Sequence, residues 1–192
     1  MDIRICVAEA AAVRAEPDEG AEQVTQALAG EPLAVESAQD GWARIRTAYG
    51  YPGWIREEVL GGEADGEWPG LPRAGDPAVE ARAYLGAPYE WGGLTEKGID
   101  CSGLVHMGYR RLGRLVPRDA HEQEAAAEAL EEGDLKPSDL VFFGPAERAD
   151  HVAFWLGDGQ ILHATGRDGV HAVVEEPLAD ARGEHELRYA RL

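Results

Sequence analysis

Cys101 stands directly after a glycine-containing turn and directly before an apolar stretch of helical spacing, a setting in which a thiol can become a nucleophile. The run reads Tyr89-Glu90-Trp91-Gly92-Gly93, a short polar loop, then Asp100-Cys101-Ser102-Gly103-Leu104-Val105. Apolar or small residues recur at Leu104, Val105, Gly108 and Leu112, and Gly113 supplies a stop. The spacing predicts a helix that begins beside Asp100 and carries Cys101 in its first turn. Unpaired backbone N–H groups and the helix dipole favour an anion there, and cysteines so placed have pKa values of about 3.5–7.5 rather than about 8.5. A lowered pKa is therefore expected for Cys101. Position alone suits a buried structural thiol equally well. Gly103 and Gly108 each cost about 1 kcal/mol relative to alanine inside a helix, so something is expected to pack closely against it.

A nucleophilic thiol needs a base, and the base needs a group that orients its ring. Of six histidines, His151 opens one expected strand and His163 lies near the end of the next, on either side of Gly157-Asp158-Gly159. A two-residue Asp158-Gly159 loop would set His163 opposite Phe154 and the two rings on opposite faces. A three-residue loop with Gly159 in the left-handed bulge position pairs His163 with Ala153 instead, so that both rings share a face as diagonal neighbours about 7–8 Å apart. The three-residue loop is the expectation. His106, His121, His171 and His185 read as surface or strand-face residues. By ligand type Cys101, His151 and His163 could also hold a metal, but no Cys-x-x-Cys or His-x-x-x-His spacing supports one, and no cofactor is expected.

The elements that must position these groups follow from periodicity and turn chemistry. Residues 1–60 read as six short strands, Ile3–Val7, Ala11–Ala15, Val24–Ala27, Pro32–Glu36, Trp42–Thr47 and Gly53–Ile55, broken by runs such as Gln39-Asp40-Gly41 and Pro52-Gly53. That pattern predicts a small β-barrel, with Trp42 and Trp54 filling its core and Cys6 a small buried residue. Residues 61–75, rich in Gly, Pro and acidic residues, read as a linker. A second domain over 76–192 opens on Asp76-Pro77, an N-cap before proline, with a helix to Gly86. After the Cys101 helix, Asp119 and Glu122 suggest a capping box for an alanine- and glutamate-rich helix ending at Gly133. From Asp139 the period changes to strands: Asp139–Phe143, His151–Leu156, Gln160–Ala164, Gly169–Glu175 and Glu186–Arg191. Helices first and strands afterwards indicate an α+β domain with an antiparallel sheet.

Composition narrows the partners. The chain of 192 residues has a formal net charge of −18, and its only lysines are Lys97 and Lys136. Nucleic acid and anionic membrane surfaces, which need clustered positive charge, are not expected partners. The first residues lack a basic leader and an apolar core, which suggests a cytoplasmic location.

Two resemblances sharpen these readings. The segments Ala12-Val13-Arg14-Ala15-Glu16-Pro17, Gly30-Glu31-Pro32-Leu33, Asp40-Gly41-Trp42-Ala43-Arg44-Ile45 and Gly50-Tyr51-Pro52-Gly53-Trp54-Ile55 resemble the bacterial SH3-like domain, which implies a recognition role for Trp42, Tyr49, Tyr51 or Trp54. The ordered blocks Tyr89-Glu90-Trp91-Gly92-Gly93, Asp100-Cys101-Ser102-Gly103-Leu104-Val105, Pro117-Arg118-Asp119, Asp139-Leu140-Val141-Phe142-Phe143, His151-Val152-Ala153 and Leu162-His163-Ala164 resemble the NlpC family of papain-like cysteine peptidases, which cut bacterial cell-wall peptides. The resemblance implies Cys101 as nucleophile, His151 as general base and His163 as the residue orienting it. It also implies Tyr89 as an oxyanion donor, Asp100 and Ser102 as contacts to a D-glutamyl unit, and Trp91 as a lining of the groove. Asp100 is expected to point to substrate, because an inward carboxylate would raise the thiol pKa. Where the family often has serine or threonine after the proline-arginine pair, this chain has Ala120.

The activity so implied is cleavage of the γ-D-glutamyl-L-diamino-acid bond of murein peptides. Members with an SH3-like domain are restricted by it to peptides with a free N-terminal L-alanine, and Glu57 or Glu58 could hold that amine. Amidase or acyltransferase chemistry on the same scaffold is the alternative enzyme reading. A non-catalytic wall-peptide-binding protein is the alternative outside enzymes.

Overall fold

The computed structural model describes residues 2–63, 68 and 70–192. Residues 64–67 and 69, within the stretch expected as a linker, lie outside the described residues. The chain divides into two compact units, Met1–Leu71 with Trp91–Gly93, and Pro72–Glu90 with Leu94–Leu192.

The first unit is all-β. Its strands are β1 (Asp2–Cys6), β2 (Ala10–Arg14), β3 (Gln23–Leu28), β4 (Pro32–Gln39), β5 (Trp42–Arg46), β6 (Pro52–Arg56) and β7 (Leu60–Glu63), in the antiparallel order β3-β2-β6-β5-β4-β1-β7. The start of the expected linker is thus a strand: Gly61 pairs with Ile5 and Leu60 with Cys6, so the sheet runs past the expected boundary at residue 60. Its core is aliphatic, built from Val13, Leu33, Ile45 and Ile55 with Cys6, Ala27 and Ala43. Of the two tryptophans expected to fill it, Trp42 is buried, 5 % exposed, and Trp54 is not. Trp54 alternates outward between the buried Gly53 and Ile55 and lies half-buried under the Arg44 guanidinium, 5.9 Å from the ring centre, while Trp42 is covered by that of Arg56 at 4.4 Å. Period-two alternation along β6 explains the outward Trp54: one neighbour in means the other out. Tyr49 hydrogen-bonds the Thr25 hydroxyl at 3.1 Å.

The second unit begins with α1 (Pro77–Ala81), continued by a single 3₁₀ turn at Arg82–Tyr84, which shortens the helix expected to reach Gly86. Asp76 caps it, accepting from the backbone N–H groups of Ala78 (2.9 Å) and Val79 (3.2 Å). A two-strand ribbon, β8 (Leu94–Thr95) and β9 (Gly98–Ile99), leads into α2 (Cys101–Arg110). Gly108 is the close approach anticipated for this helix, since a Cβ there would lie 2.5 Å from the Pro77 carbonyl oxygen and 3.1 Å from the Phe154 ring. His106, expected at a surface, is wholly buried, its Nδ1 2.8 Å from the Val116 carbonyl oxygen, because every residue of α2 faces protein.

The third helix stops short. Helix α3 spans Ala120–Ala126, and Ala127 leaves it in an extended conformation. Residues that favour helix by propensity then form β10 (Glu128–Leu130), an edge strand paired with Tyr189–Arg191. Sheet pairing across a long sequence separation outweighs a local preference of a few tenths of a kcal/mol per residue. Asp119 occupies the N-cap position without a side-chain capping bond, so the expected capping box does not form.

The remaining strands are β11 (Leu140–Gly144), β12 (His151–Gly157), β13 (Gln160–Thr165), β14 (Ala172–Pro177) and β15 (Glu186–Arg191), in the antiparallel order β10-β15-β11-β12-β13-β14. All five residues of β11 are buried, as a strand covered on both faces requires. On one face Phe154 meets Tyr109 of α2, with ring centres 6.3 Å apart. On the other, Val141, Phe143, Ala153 and Ile161 form a core against which Leu178 and Ala181 of α4 (Leu178–Arg182) pack.

The β12–β13 hairpin reaches the expected alignment by an unexpected device. Its loop has two residues, Asp158 and Gly159, with φ of 49° and 75°, the twist-matched turn for tight hairpins. Gly157 pairs with Gln160, but Trp155 pairs with Ile161 and Phe154 with Leu162, so Leu156 is an unpaired bulge. Continuing that register sets His163 across from Ala153. The extra residue is absorbed in the strand rather than in the loop. Removing Leu156 is therefore expected to leave the histidine alignment intact, whereas removing Trp155 and Leu156 together sends the two rings to opposite faces. Imidazole-to-imidazole contacts in nuclear Overhauser spectra of the two variants check this.

Candidate active site

Three neighbouring strands carry a diagonal line of side chains on one face. His151 opens β12, His163 lies two positions diagonally across on β13, and Glu176 lies diagonally beyond it on β14, where Val174 is the direct partner of His163. The His151 Nε2 to His163 Nδ1 distance is 2.7 Å, and the rings are nearly perpendicular with centres 5.0 Å apart. His163 Nε2 lies 2.8 Å from Glu176 Oε1, and Arg167 donates to Glu176 Oε2 at 2.6 Å. Phe143, cross-strand partner of His151, stands edge-on to its ring at 5.1 Å. A cavity of about 200 Å³ opens against both rings, walled by Phe143, Thr165, Arg167, Ala181 and His185.

Cys101 is the first residue of α2, and its thiol accepts from the backbone N–H groups of Ser102 and of Val152, the residue after His151. The helix start is thus docked at the start of β12. The thiol pKa is nevertheless the reverse of the helix-start expectation. Burial, with Cys101 only 6 % exposed, pushes it up to about 12, and the Asp100 carboxylate adds to the rise against smaller opposing effects of the two backbone N–H groups and Arg118. Desolvation outweighs the helix terminus because a thiolate loses its water on all sides and gains only two donors. His151 is pushed down to about 3 by burial and by the neighbouring His163 and His185. His163 is lowered too, by burial, with Glu176 opposing the shift.

With the thiol raised and the imidazole lowered, both groups rest neutral. Because the folded thiol titrates above its ordinary value, it favours the folded state below about pH 9 and loses that contribution as pH climbs towards 12. In His151→Ala only direct ionisation remains, so the iodoacetamide rate is expected to climb about tenfold per pH unit from about pH 7 to about pH 10. The native protein should give a flatter profile over the same interval.

Asp100 and Ser102 sit beside the thiol but face inward. Both are buried, and Asp100 is the N-cap of α2, accepting from Gly103 N–H at 2.6 Å. Arg118, 1 % exposed, grips the Asp100 carboxylate with two bonds of 2.9 and 2.7 Å and reaches the Ser102 hydroxyl at 3.0 Å. The outward-pointing Asp100 expected from sequence is corrected by this ion pair: a buried guanidinium holds the carboxylate in. Ala120 is buried at the start of α3, and Gln123, one turn on, donates to the carbonyl oxygens of Ser102 and Pro117, both at 2.9 Å.

Tyr89 is half-buried, and its phenol pKa is raised by burial and then by the charges of Cys101 and Asp100, which keeps the hydroxyl protonated. Its ring meets that of His171 edge-on at 5.8 Å. Trp91 belongs to the first unit, 60 % exposed, its indole N–H donating to Glu22 Oε1 at 2.7 Å. Among the described residues, one group of donors, Asp119, His121 and Glu122 at the start of α3, comes within 4.8 Å of one another; Cys101, His151 and His163 do not converge so closely. No helix among the described residues is long and apolar enough to cross a membrane.

Sequence reasoning missed Glu176 and Arg167. Both lie beyond the histidine motifs, and only the pairing of β14 with β13 reveals them.

Known proteins share much of this sequence and fold. The profile of the NlpC/P60 family matches residues 86–183, just over half the chain, and that of the bacterial dipeptidyl-peptidase Sh3 domain matches residues 13–60. A gamma-D-glutamyl-L-lysine dipeptidyl-peptidase of Bacillus cereus is 35% identical over 96 residues, covering 48% of this chain and 29% of its own. The murein DD-endopeptidase MepS/murein LD-carboxypeptidase of Escherichia coli is 37% identical over 88 residues, covering 45% and 47%. These matches span less than half the length of either relative. Among solved structures, an NlpC/P60 family protein from Bacillus cereus superposes with a TM-score of 0.57 at 26% identity, covering 99% of this chain and 62% of that one. The peptidoglycan hydrolase RipB of Mycobacterium tuberculosis gives 0.52 at 30% identity over 60% and 62%.

Proposed function

The chain belongs to the NlpC/P60 family, and from that premise we propose that it is a cysteine endopeptidase hydrolysing the γ-D-glutamyl-L-diamino-acid bond of murein peptides. The observation that carries the reading is the hydrogen bond between His151, which opens β12 next to the backbone amide that touches the Cys101 thiol, and His163 of β13. His151 takes the thiol proton as the sulfur attacks the amide carbonyl. The resulting oxyanion is met by the Cys101 backbone N–H and the Tyr89 hydroxyl, and preorganised donors of this kind are worth about 2.7–4 kcal/mol each. His151 then delivers its proton to the leaving amine, and water, activated by the same ring, releases the acyl group from sulfur. His163 orients the ring throughout.

The finer reading is that the substrate is a free peptide with an N-terminal L-alanine, handled in cytoplasmic recycling of wall fragments. The amino-terminal match to a dipeptidyl-peptidase domain and the Bacillus relative's name support it. Incubation with L-Ala-γ-D-Glu-diaminopimelate, its N-acetylated analogue and intact murein, followed by mass spectrometry, tests both levels. Cleavage of the free-amine peptide alone, between D-Glu and the diamino acid, is the expected result. Equal cleavage of all three would overturn the free-peptide reading, and binding without cleavage would overturn the peptidase reading.

A further inference from the structure

We propose that Glu176 is a positioning residue that sets the tautomers of both histidines and so makes Nδ1 of His151 the basic nitrogen. The inference rests on the peptidase reading only for its effect on turnover. Its origin is the geometry of the diagonal line, in which each bond dictates the next. Glu176 offers His163 a carboxylate oxygen at 2.8 Å, and an ionised carboxylate only accepts, so His163 Nε2 carries a proton. In a neutral His163 the other nitrogen, Nδ1, is then bare and must accept from His151 Nε2, 2.7 Å away. A neutral His151 with its proton on Nε2 has Nδ1 free to receive one. Were the His163 proton on Nδ1 instead, it would donate to His151 Nε2, push the His151 proton to Nδ1 and leave that nitrogen unable to act as a base.

The carboxylate is fixed for this task. Glu176 is largely buried, Arg167 holds its second oxygen at 2.6 Å, and the same guanidinium is anchored on the Asp180 carbonyl oxygen at 2.9 Å. Burial alone would raise the Glu176 pKa, but the bonds from Arg167 and His163 hold it below the usual carboxylate range, so it stays an acceptor. Among the described residues, the charged and titratable groups facing the two rings are Glu176 of β14, Arg167 of the loop after β13, His185 of the loop before β15, and each ring for the other. Of these only Glu176 is an acceptor for His163 Nε2.

Imidazole ¹⁵N spectra of the native chain near pH 7 are expected to show both rings protonated on Nε2. In Glu176→Met, His151 shifts toward the Nδ1-protonated form, the iodoacetamide reactivity of Cys101 falls, and kcat for the tripeptide drops about 10–100-fold with KM little changed. Glu176→Gln, which retains an acceptor oxygen, recovers most of the native tautomer and rate. Arg167→Met keeps the carboxylate and therefore keeps the Nε2 tautomers, which controls for loss of packing should Glu176→Met fail to fold. Native tautomers and native kcat in Glu176→Met, a rise in KM alone, or loss of the Nε2 tautomers in Arg167→Met with Glu176 in place would overturn the proposal. If the native chain cuts no peptide, the function reading fails, and the spectra and alkylation rates still decide this one.

Discussion

Cys101→Ala is expected to lower turnover of the free tripeptide by about 10⁴-fold or more, with peptide affinity retained, because removal of a nucleophile leaves only the background supplied by binding and oxyanion donors. No other group can replace it. Cys6 lies in the aliphatic core of the first unit, its thiol directed at the Ala8 and Ala27 carbonyl oxygens at 3.5 and 3.6 Å. Cys101→Ser retains the atom count but offers a hydroxyl, far less acidic than a thiol, to a base whose pKa has been driven down to about 3, so it should be nearly as inactive. Calorimetric titration of the tripeptide into Cys101→Ala, beside single-turnover assays of all three forms, measures both halves of the expectation. Turnover within tenfold of native in Cys101→Ala would remove the thiol from the mechanism.

The second large effect falls on stability. Arg118→Met is expected to destabilise the second unit by about 3–5 kcal/mol, because it strands the buried Asp100 carboxylate that the guanidinium now holds with two bonds. For a chain of this size that corresponds to a melting temperature lower by about 10 °C. The damage should reach the site, since Asp100 caps the helix that carries Cys101 and its charge already raises the thiol pKa against the opposing charge of Arg118. With the guanidinium gone, the thiol is expected to rise further and alkylate more slowly. Adding Asp100→Asn to Arg118→Met removes the stranded charge and keeps a capping side chain, so the double variant should melt above the single one. A double variant that melts lower than Arg118→Met would show that the pair is not coupled as the two bonds imply.

The fold was legible where local pattern and tertiary demand agree. The strands of the first unit, the Asp76 cap, the Cys101 helix and the antiparallel strands after Asp139 all announce themselves by period and turn residues. Legibility ended where distant partners decide. Nothing local marks Glu128–Leu130 as a strand, because its reason for extending is the edge of β15, some sixty residues on. Glu176 was invisible for a different reason: in a chain with 36 acidic residues one more glutamate carries no signal until the β13–β14 register sets it beside His163. The thiol shows the limit of reasoning from position. A helix start favours an anion, but how much water the anion must give up is decided by what packs around it, and here that reversed the sign.

The β12–β13 hairpin obeys a parity rule. Side chains alternate between faces, so whether His151 and His163 meet depends on whether the residues separating them pair off with an even or an odd remainder, and not on how many there are. The bulge at Leu156 is the odd residue set aside so that the rest come out even. Chains of this architecture can therefore lengthen or shorten this turn two residues at a time with the bulge kept, or one at a time by making or dissolving a bulge, and keep the dyad. A change that leaves the remainder wrong loses it entirely, so variation in the hairpin is silent or inactivating, with little in between.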